Sequence, residues 1–140
     1  MITPLDMAVL HAAAFAGSRP WSADEFTQLL KSKFCFALGD SRCFALIRIV
    51  ADEAELLTIA THPDFQRQGL ARDCMAAWHE QAHAKGAVHA FLEVAADNTP
   101  ACAMYTGCGY NICGVRQGYY RRAGHPRVDA LTMRCLITQH

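Results

Sequence analysis

The stretch "LLTIATHPDFQRQGLARDCMAAWHEQAHAKG", residues 56–86, decides how this chain is read. An apolar run of strand character stops at Thr61, a turn of long polar side chains follows, and near Ala71 the period of the pattern changes. From there Ala71, Cys74, Met75, Trp78 and Ala82 share one stripe at helical spacing, and Gly86 stands where a helix would end. The spacing predicts a strand, a tight polar turn and an amphipathic helix of about four turns.

The turn carries chemistry. Where a strand feeds a helix, the first amides have no intrahelical partner and the helix dipole makes that end electropositive. Gly69 lets the backbone approach a ligand closely, and Arg67 and Arg72 add charge. Several convergent amides form an anion site whose natural occupant is a pyrophosphate. Taken alone, one glycine and two arginines read equally well as a surface loop that opens a helix.

Outward from this stretch the chain alternates cleanly. Before it, "LDMAVLHAAAF" and "WSADEFTQLLKS" read as two short helices, the second opened by Ser22 and Glu25 in capping-box spacing with Trp21 as its staple. "CFALIRIV" and "AELLTIAT", split by the polar "ADE", read as an antiparallel hairpin. After it come "VHAFLEVAA", a buried strand, and "DNTPACAMYTGCGY", a short helix with Pro100 near its first turn. "NICGVRQGYY" and "VDALTMRCLI" form a closing hairpin. Residues 1–140 are therefore expected to be a single mixed α+β domain, its sheet covered by helices on both faces.

Composition narrows the partners. The 140 residues suffice for one core without disulfides or metals. Formal charge is zero, so bulk charge points to neither nucleic acid nor a membrane surface. The seven cysteines, at 35, 43, 74, 102, 108, 113 and 135, are odd in number and form no Cys-x-x-Cys pair. They are expected to be reduced, small hydrophobes in a cytoplasmic protein. The start "MITPLDMAVLHAAAFAG" is only faintly like a signal peptide, with Asp6 and no Lys or Arg ahead of its apolar run, so cleavage is not expected.

The segment from "LLTIAT" to "GCGY" resembles the core of the GCN5-related N-acetyltransferase (GNAT) superfamily, whose turn signature is matched by Gln66, Gly69 and Ala71. It is most similar to the ribosomal-protein-alanine N-acetyltransferase type, through Leu92-Glu93-Val94, Asn98, Met104-Tyr105, Gly109-Tyr110 and the ending "GYYRRAGHPRVDALTM". The resemblance covers about residues 20–136. It implies the acyl-CoA N-acyltransferase fold, with a mixed, mostly antiparallel sheet, and acetyl-CoA as cosubstrate without a metal. It further implies that Ile59, Ala60 and Thr61 end a splayed strand whose backbone polarises the acetyl carbonyl. Arg67, Gln68, Gly69, Leu70, Ala71 and Arg72 would bind the pyrophosphate, and Asn98 would contact the pantetheine arm.

Acetyl transfer from a thioester needs a neutral amine, an oxyanion stabiliser and an acid for the leaving thiolate. Glu93, alone in an apolar strand, is the candidate base acting through water, although an exposed or ion-paired strand residue reads the same way. Tyr105 is the candidate acid, and its bland reading is a core aromatic. Tyr119 and Tyr120 would wall the acceptor groove. Two arginines follow these tyrosines where the family commonly has proline, and "HPRVD" lacks the usual acidic residue before Val128, which bears on the acceptor. The acceptor implied is a protein N-terminal α-amine, with a small-molecule amine as the alternative and a non-catalytic acyl-CoA sensor as a remoter one. Neither nucleic acid nor membrane is an expected partner, and the chain would act as a monomer or homodimer.

One motif competes. "HEQAHAKGAVH" fits His-Glu-x-x-His-x-x-Gly-x-x-His, a zinc-peptidase pattern, with His79, His83 and His89 as ligands and Glu80 as base. It explains eleven residues, whereas the acetyltransferase reading explains the turn before it and the landmarks after it. On the latter reading Gly86 is an ordinary helix cap, and His79 and His83 lie on a solvated flank.

Overall fold

The structure is a computed structural model that describes residues 2–15, 19–121 and 124–137. Two capped helices open it. Thr3 and Asp6 form a reciprocal capping box on α1 (Pro4–Ala14), and Ser22 and Glu25 form another on α2 (Ala23–Leu30). Trp21 meets Phe26 with ring centroids 5.5 Å apart, the expected staple. There follow β1 (Cys35–Gly39), β2 (Cys43–Val50), β3 (Glu53–Thr61), a 3-10 turn (Pro63–Phe65) and α3 (Leu70–Ala84). Next are β4 (His89–Ala95), α4 (Thr99–Gly107), β5 (Asn111–Tyr120) and β6 (Val128–Leu136).

The first strand corrects the sequence reading, which places no strand over 35–39. β1 is five residues long, half-buried, and folds straight back on β2 from Cys35↔Arg48 to Gly39↔Phe44. Gly39 makes that reversal possible, with φ +128° and a backbone so close that a Cβ would fall 2.2 Å from the Cys43 carbonyl oxygen.

The sheet runs β1-β2-β3-β4-β6-β5, and every neighbouring pair is antiparallel except β3 with β4. Helix α3 supplies the crossover that a parallel pair requires. Its stripe of Cys74, Met75, Trp78 and Ala82 packs with Ala45, Ile47, Leu56, Leu92, Val94 and Met133. On the other face Met7, Leu10 and Phe26 pack on Phe44, Leu46 and Ala60. β2 is thus buried on both sides, which is why it reads as an unbroken apolar run. A bulge at Leu57 swaps the faces of β3, so that Ala54 and Leu56 join the first core while Ala60 joins the second.

The N-terminal helices cover only part of their face, because their core contains no residue of β4, β5 or β6. By register, Phe91, Glu93, Thr132 and Arg134 share that uncovered face.

Candidate active site

The site begins where β3 and β4 part. They pair only at Glu53↔His89, Ala54↔Ala90 and Glu55↔Phe91. Beyond that β3 stays with β2 as far as Thr61, and β4 stays with β6 as far as Ala95. The facing edges, residues 57–61 and 92–95, therefore enclose a wedge with no cross-strand ladder. Ile59, Ala60 and Thr61, the expected splayed end, lie on its β3 side. Backbone groups along such a gap are available to a ligand.

At the open end of β3 the polar turn folds as the sequence implies. The Gln66 side-chain Nε2 donates to the Thr61 carbonyl at 3.4 Å. Arg67 (φ +64°) and Gly69 (φ +79°) are both left-handed, and no side chain caps α3. The first helical bond runs from the Asp73 N–H to the Gly69 carbonyl, so the amides of Leu70, Ala71 and Arg72 precede it. A Cβ at Gly69 would meet nothing within 4 Å, which leaves open room above the bare amides. Arg67, Gln68 and Arg72 are exposed around it, with Asp64 in the 3-10 turn before it and Asp73 later in the first turn of the helix. These features fit a diphosphate.

Tyr105 and Glu93 approach the wedge from opposite faces of the sheet. Tyr105, on α4, is 6% exposed and stands 6.0 Å from the Tyr110 ring. Burial pushes its phenol well above the usual value, and the neighbouring Cys102, Cys108 and Tyr120 add to the shift. No described residue hydrogen-bonds its hydroxyl, and that oxygen is not sealed from solvent. Glu93 lies on the uncovered face, where the Arg116 Nε stands 3.5 Å from its carboxylate. The Arg116 guanidinium is also 5.3 Å from the Tyr119 ring centroid, and Tyr119 meets Tyr120 edge-on at 5.1 Å. Asn98 is occupied locally, its side-chain oxygen accepting from the Ala101 N–H at 3.3 Å to cap α4. Its amide nitrogen has no partner among the described residues.

Sequence reasoning missed Arg116. Its signal was a solitary charge on an otherwise uncharged strand, three residues before the tyrosine pair. It also missed how the hairpin is shaped: Gly118 (φ +58°) donates its N–H to Asp129 at 2.8 Å within a register shift between Arg116 and Tyr120.

The zinc motif comes apart. His79 is not on a solvated flank but 7% exposed, its Nε2 2.7 Å from the Tyr110 hydroxyl. It is four residues after Met75 and three before Ala82, so it belongs to the buried stripe. His89 begins β4, its ring tilted against that of Phe91 with centroids 6.5 Å apart. Among the described residues no three His, Cys, Asp or Glu side chains gather where a metal ion could be held. Gly86 (φ +93°) caps α3 as expected: the Ala87 N–H reaches the Ala82 carbonyl and the Gly86 N–H reaches that of His83. The described cysteines are all free thiols, and Cys113, unlike the others, is exposed. No helix among the described residues is long and apolar enough to cross a membrane.

Known proteins agree with this geometry. The profile of the Acetyltransferase (GNAT) family matches residues 8–110. The ribosomal protein bS18-alanine N-acetyltransferase of Escherichia coli is 35% identical over 130 residues, covering 90% of this chain and 87% of that protein. N-alpha-acetyltransferase RimI of Mycobacterium tuberculosis is 32% identical over 136 residues, covering 91% and 82%. The crystal structure of the Escherichia coli ribosomal-protein-S18-alanine enzyme superposes with a TM-score of 0.85 at 31% identity, over 96% of this chain and 88% of that one. A strand wedge ending at an uncapped helix, a family profile over most of the chain and relatives matched along nearly their whole length agree: this chain is an acyltransferase of the Acetyltransferase (GNAT) family.

Proposed function

We propose that this chain, acting as one domain of residues 1–140, transfers acetyl from acetyl-CoA to the α-amine of a protein N-terminus. The observation that carries the reading is the uncapped start of α3, with left-handed Arg67 and Gly69, placed at the mouth of the β3–β4 wedge. The amides of residues 67–72 would take the pyrophosphate, and the pantetheine arm would lie in the wedge with the Asn98 amide beside it. The acetyl carbonyl would then accept from backbone N–H groups near Ile59, Ala60 and Thr61. Two relatives named for N-terminal or ribosomal-protein-alanine acetylation support the acceptor class.

In this reading the free amine attacks the thioester carbon, forming the C–N bond, and the C–S bond breaks as the tetrahedral intermediate collapses. The amine gives its proton to Glu93 through water. The departing sulfur is met by Tyr105, which its surroundings hold as a neutral phenol; it stabilises the thiolate as a hydrogen-bond donor and returns a proton to it. An α-amine, with a pKa near ~8, is already partly neutral, so a modest base suffices. No thiol is needed as nucleophile, and Cys43 and Cys74 are buried in the core. The reaction would belong to the cytoplasm, with the chain a monomer or homodimer.

The test is thiol release from acetyl-CoA with a short peptide bearing a free N-terminal alanine, compared with the N-blocked peptide containing lysine and with a polyamine. Turnover on the free N-terminus alone is expected. Turnover on the polyamine or lysine with none on the N-terminus would replace this reading with a small-amine one.

A further inference from the structure

Acetyl transfer by direct attack needs no thiol, yet two buried thiols face each other behind the anion turn. Cys43 opens β2 and, with Ala45 and Ile47, joins the core beneath α3. Cys74, on the buried stripe of α3, comes down on that core from the helix side. They are 6% and 8% exposed, and their thiols are hydrogen-bond partners. The Cys43 sulfur also accepts from the Thr61 hydroxyl at 3.3 Å, and the Cys74 sulfur lies 3.9 Å from the Leu38 carbonyl oxygen. Thr61 ends β3, and Cys74 follows soon after the bare amides of Leu70, Ala71 and Arg72. Both sides of the mouth of the wedge are therefore tied to this pair.

The two thiols are unequal. The hydrogen bond from Cys74, aided by Thr61 and Arg42, holds Cys43 down to about 7 against its burial and against Asp40. The same bond, with burial, pushes the Cys74 thiol above the usual range. A low thiol beside a protonated one is the arrangement of an attacking and a resolving cysteine. Cys43 follows directly on the exposed residues 40–42, so a small oxidant crosses little protein to reach it.

We propose that Cys43 and Cys74 form a peroxide-sensitive dithiol whose closure to a disulfide loosens the hold of the α3 turn on acetyl-CoA. The Cys43 thiolate attacks one peroxide oxygen, the O–O bond breaks and the sulfur becomes a sulfenic acid. The second oxygen leaves as hydroxide and takes up the proton that Cys43 had released, giving water. The Cys74 sulfur then attacks the sulfenic sulfur; the S–S bond forms, the S–O bond breaks, and the Cys74 proton leaves with that oxygen as a second water. Two thiols are oxidised and one peroxide is reduced, and a dithiol reductant restores the pair by exchange. Closure brings the sulfurs from hydrogen-bond contact to about 2 Å, which draws the first turns of α3 toward β2 and shifts the bare amides against the end of β3. The effect on binding rests on the diphosphate reading above, whereas the disulfide does not.

Reduced protein treated with a few equivalents of hydrogen peroxide, then unfolded, alkylated and mapped by peptide mass spectrometry, tests the site. The product should lack two hydrogens and link the peptides that hold Cys43 and Cys74, both in the wild type and in Cys113→Ser, which removes the exposed thiol. Calorimetric affinity for acetyl-CoA should fall about 10-fold on closure and return with dithiothreitol. Cys43→Ala and Cys74→Ala should each bind equally with and without peroxide; if either fails to fold, reversal by the reductant in the wild type carries the test. Both thiols found alkylated after treatment, or a link that joins another pair, would overturn the inference. A Cys43–Cys74 link that leaves affinity unchanged would overturn its coupling to the site. Reduced protein that binds no acetyl-CoA would overturn the diphosphate reading instead, with the peptide map still deciding the disulfide.

Discussion

Burial holds Tyr105 in its neutral form, so its hydroxyl keeps its hydrogen throughout the neutral range and can face a developing thiolate without having first lost its proton. Tyr105→Phe removes that O–H and little else. Turnover should fall about 100-fold while acetyl-CoA affinity changes less than about 2-fold; unchanged turnover would reduce Tyr105 to packing. The same surroundings fix a sign for stability. Tyr105 and Tyr110 are both raised above the ordinary value of 10.0, chiefly by burial. The stability they contribute is complete below that pH and is lost as pH climbs above it, so the melting temperature should fall further above pH 10, adding to a loss that the raised thiols of Cys108 and Cys135 begin above pH 9. Gly69 acts through its backbone. Its left-handed φ of +79° and the space above it make Gly69→Val a test of the turn alone, expected to weaken acetyl-CoA binding at least 10-fold at a cost of about 1 kcal/mol in stability.

Among the elements, α1 and α2 are clamped by one imidazole. His11 accepts the Trp21 backbone N–H through Nδ1 at 3.3 Å, stacks on the Trp21 ring at 5.2 Å and meets Phe26 edge-on at 5.8 Å. Burial lowers its pKa below 6.5 despite the opposing pull of Glu25. The unfolded chain therefore takes up the proton first, and stability, complete above pH 6.5, should fall as pH drops below it. Denaturant midpoints measured from pH 7.5 to 5 should show this loss, and His11→Gln should flatten it; an unaltered slope would remove His11 from the account. Ser22→Ala, which deletes the α2 cap, should cost about 1 kcal/mol in the same measurement.

What the sequence made legible follows the range of the interaction. The α2 capping box, the Trp21 staple and the α3 stripe are contacts within a few residues, and period and capping spacing revealed them. β1 escaped because five residues, four of them half-buried, give too short a pattern and their pairing is fixed by Gly39, whose role shows only once the backbone is folded. His79 was misplaced because its ring is polar although its position is on the stripe, and the hydroxyl that satisfies it comes from Tyr110, 31 residues away. The shape of the turn between β3 and α3 was legible because it is built from consecutive residues. The Glu93–Arg116 pair was not, since β6 lies between β4 and β5 and their side chains meet only through two successive registers.

At the scale of the whole molecule, one sheet performs two tasks. The half formed by β1, β2 and β3 is packed on both faces and provides the rigid wall, while the N-terminal helices leave one face of β4, β6 and β5 uncovered. The wedge between the halves joins an anion turn at one end to Glu93 and Tyr105 on either side. Calorimetric titration with coenzyme A and with pantetheine, which lacks the diphosphate, tests this arrangement most directly. Coenzyme A should bind at least 100-fold more tightly than pantetheine, and Gly69→Val should erase most of that difference. Equal affinities for the two ligands, or coenzyme A binding untouched by the substitution, would contradict it.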